Sequence, residues 1–305
     1  MDKSLNISIS ESRRLLQNPY AYLNESGGFS ALPNHHEATP HEIAKSRVLQ
    51  ENPYAHENEF GGFSALKNPL QYTNSQKKER YSLAEIEDKA RDLQMSIWGK
   101  KSLYWPDAPP SNPIAILDPL LALKLIGYDC VLEETLGQYR IDRKLIEVAG
   151  TIDNYSKQVR ISRQLPDNIR TFTVAHELGH AILHERSGLH RDRPLDGSSA
   201  SRNSIELEAD KFATFFLMPR KQVATIFKRH FLTDKFSLDE ATAFALGYSD
   251  LEVLRNKCKT PRQLSRLLAS TEQFNGVHFI SLANQFRVSP EAMAIRLEEL
   301  ELLTM

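Results

Sequence analysis

The amino-acid sequence predicts an α+β fold, in which a small antiparallel sheet is followed by a series of helices. Residues 148–152 and 158–161 have strand character and are separated by a turn at residues 153–154. The sequence His-Glu-Leu-Gly-His at residues 176–180 lies among apolar residues and is predicted to be helical. After Pro219 the chain is again predicted to be helical. We therefore expect a sheet, a helix that carries two histidines, a second helix and a helical C-terminal region.

The first 80 residues, which we predict to be an N-terminal arm, contain two copies of one motif. Residues 18–34 read NPYAYLNESGGFSALPN and residues 52–68 read NPYAHENEFGGFSALKN, at an offset of 34 residues with 13 of 17 positions identical. Asn-Pro and Gly-Gly interrupt helices, and two copies are too few for a solenoid. We interpret the two copies as tandem recognition motifs.

Residues 81–113 are predicted to form a helix followed by a proline-rich linker. Apolar residues recur at helical spacing over residues 81–98, and Ser82 with Glu85 fits a capping box. Four prolines between residues 106 and 113 end this segment. The predicted domains are then an arm at 1–80, the helix and linker at 81–113, a domain at 114–219 that begins with a short helix at 118–126, and a helical domain at 220–305.

His176 and His180 are candidate metal ligands, because residues four apart on a helix lie on the same face. Neutral imidazole is a good zinc ligand, and three protein ligands plus one open position are typical of a catalytic zinc site. Glu177 is placed beside that open position, where it can take a proton from water activated by the metal. Asp167 is expected to cap this helix, and Gly179 leaves room for another segment to approach closely.

The third ligand is predicted to come from the next helix, at residues 205–213. Glu206 and Asp210 share one face of it, so Glu206 can bind zinc while Asp210 accepts the second ring N–H of a ligand histidine. Glu208 points to another side and is the alternative ligand. His184 is less favoured, because one straight helix cannot place three ligands around a tetrahedral ion.

Composition limits the classes of protein and partner. The 305 residues are 41% hydrophobic, enough for a core, and the net charge of −1 argues against a general nucleic-acid or membrane-surface role. Two cysteines do not make a disulfide framework and favour a reducing compartment. We see no signal peptide and no apolar run long enough for a membrane span. A cytoplasmic location is expected, with export by a signal-free route left open.

Several segments resemble the ImmA/IrrE family of zinc metallopeptidases. They are residues 170–175, the His-Glu-Leu-Gly-His sequence, residues 181–184, residues 206–213, the Phe-Phe-Leu-Met-Pro sequence at 215–219, and a C-terminal tail at 281–303 with the rhythm of a helix-turn-helix. The resemblance covers roughly residues 114–305 and does not reach the repeats.

The resemblance implies a compact zincin-like α+β fold that holds one zinc ion per chain. Carried over by position, it assigns zinc to His176, His180 and Glu206 and the general base to Glu177, and Asp210 matches a family position that is Asn or Asp. An edge strand in zincins commonly holds the substrate by strand addition. This role falls on the second predicted strand and the residue that follows it, at Val159, Arg160, Ile161 and Ser162.

The sequence thus predicts a zinc metalloendopeptidase that cleaves a regulatory protein, such as a repressor with a helix-turn-helix or an antitoxin. The repeats are predicted to bind a partner with avidity, to occupy or be cleaved in the enzyme's own cleft, or to reflect a recent duplication. Residues 220–266 are locally basic, but Glu291, Glu298 and Glu299 on the last helix disfavour nucleic acid. The alternatives are a non-cleaving regulatory protein with a structural metal site, and a secreted effector protease.

Overall fold

The computed structural model of the protein describes residues 80–141, 144–184, 190–191 and 204–304. These residues all belong to one unit of tertiary contacts, Val48–Met305. Both repeats, at residues 18–34 and 52–68, lie outside the described residues, so their roles stay predictions.

The described chain combines helices with small sheets, which confirms the predicted α+β fold class. The helices are α1 (Leu83–Gly99), α2 (Lys101–Tyr104), a 3-10 turn (Pro113–Ile116), α3 (Pro119–Leu125), α4 (Asp167–Leu183), α5 (Ser204–Leu217), α6 (Arg220–Phe231), α7 (Glu240–Ala245), α8 (Leu251–Lys257), α9 (Pro261–Ser270), α10 (Leu282–Gln285) and α11 (Pro290–Glu299). The strands are β1 (Asp129–Glu133), β2 (Gln138–Ile141), β3 (Lys144–Glu147), β4 (Gly150–Asp153), β5 (Gln158–Ser162), β6 (His190–Arg191), β7 (Phe236–Ser237), β8 (Gln273–Phe274), β9 (Val277–His278) and β10 (Leu303–Thr304). None of the described helices has the length and apolar character needed to span a membrane.

Helix α1 begins with the predicted capping box. The Ser82 hydroxyl accepts the N–H of Glu85, and the Glu85 carboxylate accepts the N–H of Ser82. Further along the helix, the buried Gln94 side chain donates to the carbonyls of Phe215 and Phe216 at 3.0 and 2.8 Å. Because these are the last turns of α5, the two bonds hold α1 against the helix that carries Glu206.

The central sheet has the strand order β1-β5-β4-β6 and is mixed rather than purely antiparallel. Strands β4 and β5 pair antiparallel, as their sequence pattern predicts. Strand β1 adds to the other side of β5 in parallel. The sheet therefore includes a strand from well before the hairpin in sequence, which local patterning did not reveal.

The prediction that Val159, Arg160, Ile161 and Ser162 form an edge strand is wrong. Strand β5, which contains them, lies inside the sheet between β1 and β4. Its backbone groups pair with a neighbouring strand on both sides, so no row of free N–H and C=O groups is open to a substrate strand. Strand addition therefore cannot take place at these four residues.

Gly179 marks the closest approach of helices α4 and α5. A Cβ atom at this position would lie 3.0 Å from both the Cα and the carbonyl oxygen of Ala209, and 3.2 Å from Cβ of Phe212. The backbones are thus in direct contact, as the small residue predicts. This packing brings the start of α5 onto the histidine face of α4.

The start of α4 differs from its prediction. Asp167 is the first residue of the helix and does not cap it. Pro166 occupies the cap position and makes no side-chain bond there. The Asp167 carboxylate pairs with Arg170 one turn on. An acidic residue in the first turn still interacts favourably with the helix dipole, which explains its place at this end.

The C-terminal tail forms the predicted pair of helices, α10 and α11, and is tied to α5 by a buried arginine. Arg296 is 2% exposed, and its Nε donates to the carbonyl of Met218 at 3.0 Å. Its guanidinium lies over the ring of Phe215 at 5.0 Å and bonds Glu299 at 3.2 Å. The boundary predicted between residues 219 and 220 is thus crossed by close contacts.

Candidate metal centre

Helix α4 holds His176, Glu177 and His180 in its buried middle, each at most 2% exposed. One helical turn separates the two histidines, so their rings lie on the same face. Their Nε2 atoms are 3.0 Å apart. Two imidazole nitrogens therefore point at one location between α4 and the neighbouring helix.

Glu206, in the first turn of α5, faces these two nitrogens. Its Oε2 atom lies 3.3 Å from Nε2 of His176 and 3.6 Å from Nε2 of His180. The Glu206 side chain is 27% exposed, whereas the histidines are buried. The group of three is therefore open to solvent on the Glu206 side.

The three donor atoms have the chemistry and spacing for a small divalent ion. They all lie within 4.8 Å of one another. A tetrahedral zinc ion with bonds of roughly 2.0–2.1 Å keeps neighbouring ligand atoms about 3.3 Å apart. The separations of 3.0, 3.3 and 3.6 Å lie on either side of this value. Two imidazoles and one carboxylate also form a donor set that zinc accepts with one position left for water or substrate.

Asp210 contacts the other ring nitrogen of His176. Its Oδ1 atom lies 2.9 Å from Nδ1 of His176. If Nε2 binds a metal, Nδ1 carries the proton and donates it to this carboxylate. Such a bond fixes the orientation of the imidazole and raises its basicity.

Glu177 faces the sheet at the start of β4. A Cβ atom on Gly150 would lie 2.6 Å from Oε1 of Glu177 and 2.9 Å from Cγ2 of Thr173, so only glycine leaves room for this carboxylate. Burial, together with the negative charge of Glu177, raises the pKa of the thiol of a second neighbour, Cys130 of β1, to about 11. Neither neighbour was identified from the sequence, since both come from strands brought to α4 by the tertiary fold.

His184 and Glu208, the alternative ligands, do not join the three donor atoms. Nδ1 of His184 lies 3.2 Å from Nδ1 of His180, which is the ring nitrogen facing away from Glu206. Nε2 of His184 lies 3.0 Å from Oε2 of Glu208. The spacing of His180 and His184 signals a contact between them, but Glu208 as the next partner was missed by sequence reasoning.

Strand β5 contains the four residues that were predicted to contact substrate. Val159, Ile161 and Ser162 are fully buried. Arg160 is exposed, and its Nε lies 3.6 Å from Oε1 of Glu133 on the neighbouring strand β1. In the described part of the chain, the group that could hold a metal consists of His176, His180 and Glu206.

Comparisons with known proteins show what part of the chain is similar to. Residues 131–243 match the peptidase family M78, described as an IrrE N-terminal-like domain. The chain is also similar to a protein of Bacillus phage phi105 named uncharacterized immunity region protein 2, with 29% identity over 126 residues. That alignment covers 40% of this chain and 70% of the phage protein. The family match spans the whole donor group together with Glu177 and Asp210. Both comparisons support assignment of residues 131–243 to the ImmA/IrrE family.

Proposed function

We propose that this protein is a zinc-dependent metalloendopeptidase. The observation that carries the proposal is the placement of His176, His180 and Glu206, whose donor atoms converge next to a helix that also carries Glu177. The match of residues 131–243 to a peptidase family supports peptidase chemistry in general. The proposal adds the metal, one zinc ion per chain, and the reaction, which is hydrolysis of an internal peptide bond.

In this proposal His176, His180 and Glu206 hold the zinc ion, and Asp210 keeps His176 in the orientation that presents Nε2. When bound, zinc supplies Lewis-acid chemistry, which polarises a carbonyl and makes water more acidic. Glu177 takes the proton of the attacking water and passes it to the leaving amine. Glu177 is fully buried, and the start of β4 limits the space around its carboxylate.

A catalytic site accounts for these residues better than a structural one. Structural zinc sites are normally closed by four protein ligands, whereas this group in the described residues offers three. A structural site also has no use for a base next to the first histidine. A non-cleaving regulatory protein is therefore less favoured than a peptidase. The other alternative, a secreted effector protease, would use the same site.

The proposed substrate is a protein with an exposed, extended segment, for example a regulator that contains a helix-turn-helix or an antitoxin. The phage relative is named as a protein of an immunity region, which is compatible with a regulatory target. We further propose that the N-terminal repeats recognise either a protein partner or the protein's own cleft. Nucleic acid and membrane are not part of the proposal.

The test uses the full chain loaded with zinc and a library of peptides from a digested proteome. New peptide termini are identified by mass spectrometry, for the wild type and for Glu177→Gln as a matched variant. The intact mass of each protein is followed in the same samples, so that cleavage within residues 18–68 is also detected. Zinc content is measured on both proteins.

We expect the wild type to generate new termini and Glu177→Gln to generate none, with one zinc ion on each protein. Identical peptide profiles for the two proteins would contradict the peptidase, even if both hold zinc. Absence of stoichiometric zinc from the wild type would contradict the metal site itself.

A further inference from the structure

Three buried side chains, those of His180, His184 and Glu208, are in contact one after another. The series begins at Nδ1 of His180, the ring nitrogen that faces away from Glu206. Nδ1 of His180 lies 3.2 Å from Nδ1 of His184, and Nε2 of His184 lies 3.0 Å from Oε2 of Glu208. The other carboxylate oxygen of Glu208 accepts the backbone N–H of Tyr81 at 3.1 Å. The side chains of His184 and Glu208 are only 8% and 9% exposed, so solvent contributes little to satisfying them.

The chemistry of a ligand histidine determines where each proton in this series lies. A His180 that offers the lone pair of Nε2 to a metal carries its proton on Nδ1. That N–H needs an acceptor, so Nδ1 of His184 is unprotonated. His184 then carries its proton on Nε2 and donates it to Glu208. Both oxygens of Glu208 act as acceptors, one from His184 and one from Tyr81.

The two ligand histidines are thus held in different ways. His176 donates directly to the carboxylate of Asp210 at 2.9 Å. His180 reaches a carboxylate only through a second imidazole. Hydrogen-bonding partners of this kind fix the tautomer and ring orientation of a ligand, and their loss typically weakens metal binding by about 10–100-fold.

We propose that His184 and Glu208 are positioning residues for the metal site, which keep His180 in the tautomer that presents Nε2 towards Glu206. The inference rests on the proposed zinc site and extends it by two residues that are not ligands. Tyr81 takes part through its backbone, just before helix α1, and thereby holds the end of the chain of bonds in place.

Two variants test the inference in the full chain. Glu208→Gln keeps the size of the side chain, but its amide has one acceptor oxygen and one donor nitrogen, so in this position either His184 or Tyr81 faces a donor instead of an acceptor. His184→Leu removes both nitrogens. The matched controls are Glu298→Gln, which changes a carboxylate bonded to Arg262 and Ser265, and His230→Leu, which removes a buried histidine stacked on Phe279.

The measurement is the zinc dissociation constant, obtained by competition with a chromophoric chelator on protein whose fold is checked by circular dichroism. We expect Glu208→Gln and His184→Leu to weaken zinc binding by about 10–100-fold, and the two controls to bind as the wild type does. Wild-type affinity in both folded variants would overturn the inference and leave the zinc site intact. A wild type that binds no zinc would instead overturn the proposed function.

A second measurement needs no variant beyond those used for assignment, and so is independent of folding defects. Long-range proton–nitrogen NMR spectra of the zinc-loaded wild type report which ring nitrogen of each histidine carries a proton. We expect Nδ1–H for His180 and Nε2–H for His184. A His184 protonated on Nδ1 would contradict the inference, because that nitrogen could not then accept from His180.

Discussion

At the scale of single residues, the candidate site depends on atoms that have little space around them. Glu177 is fully buried, and the backbone of Gly150 lies where any larger residue would meet its carboxylate. The same carboxylate contributes to the raised pKa of Cys130. The position of the proposed base is thus set by two strands as well as by its own helix.

Gly150→Ala is expected to impair catalysis without removing the metal. The new Cβ would meet Oε1 of Glu177 at 2.6 Å, a distance that real Cβ contacts do not show, so the carboxylate must move. A displacement of about 1 Å in a catalytic group can cost about 100-fold in rate. We therefore expect a loss of this order in cleavage of peptides identified with the wild type, while zinc content stays the same.

The control for this variant is Thr151→Ala, which alters the next residue of β4. Successive side chains of a strand point to opposite faces, so Thr151 does not face Glu177. Its rate should equal that of the wild type. Wild-type activity in Gly150→Ala would show that Glu177 is not held by this contact.

At the scale of secondary-structure elements, the candidate metal site lies where two helices touch. Helix α4 supplies His176 and His180, and α5 supplies Glu206 and Asp210. The separation of the helices is set at Gly179, where their backbones meet. Distances between the donor atoms on the two helices therefore depend on a residue that is not itself a ligand.

Gly179→Val should push the two helices apart. Its Cβ would lie 3.0 Å from backbone atoms of Ala209, which cannot turn aside as a flexible side chain can. Overpacking of this kind typically costs about 1–3 kcal/mol, and we expect a decrease of this size in the free energy of unfolding, measured by urea denaturation. Zinc affinity should fall as well, because Glu206 moves away from the histidines.

Thr171→Val on the same helix is the matched control, since it introduces the same β-branched residue at a position where the hydroxyl donates to the carbonyl of Asp167 in the same helix. It should leave zinc affinity unchanged. Gly179→Ala should be milder than Gly179→Val, because replacing a helical glycine by alanine stabilises the helix by about 1 kcal/mol and offsets part of the strain. Equal zinc affinity in Gly179→Val and the wild type would contradict this account of the helix contact.

At the scale of the whole molecule, the helical C-terminal region packs on the part of the chain that holds the site. Arg296 bonds the carbonyl of Met218 at the end of α5, and Arg287 donates to the carbonyl of Leu117 at 2.9 Å. Lys211 of α5 also pairs with Glu299 of α11. The C-terminal tail thus supports the helix that carries Glu206.

Arg296→Met is expected to lower the free energy of unfolding by about 1–3 kcal/mol, since the buried carbonyl of Met218 loses its donor. Methionine retains much of the apolar volume, so the loss measures mainly the polar contacts. Urea denaturation followed by circular dichroism provides the comparison. Arg255→Met, at an exposed position on α8, should unfold at the wild-type midpoint. A midpoint for Arg296→Met that matches this control would contradict the supporting role of the arginine.

Local patterns were sufficient to predict much of the fold. The capping box at Ser82, the β4–β5 pairing, the helix around His176 and the helical tail all depend on residues close together in the chain. The same holds for the pairing of Glu206 with Asp210 on one face of a helix. Such features can be predicted because hydrogen bonding within a helix and alternation along a strand act over a few residues.

The sequence by itself determined the fold class, the two histidines on one helical face, and Glu206 with Asp210 on one face of the next helix. Only the tertiary structure decided that β5 lies inside the sheet, because its parallel neighbour β1 comes from a distant segment. It also decided that Gly150 faces Glu177 and that Glu208 bonds His184 rather than joining the donor atoms. The physical reason is the same in each case: these contacts form between elements far apart in the chain, and their partners are selected by packing, which leaves no local periodicity in the sequence.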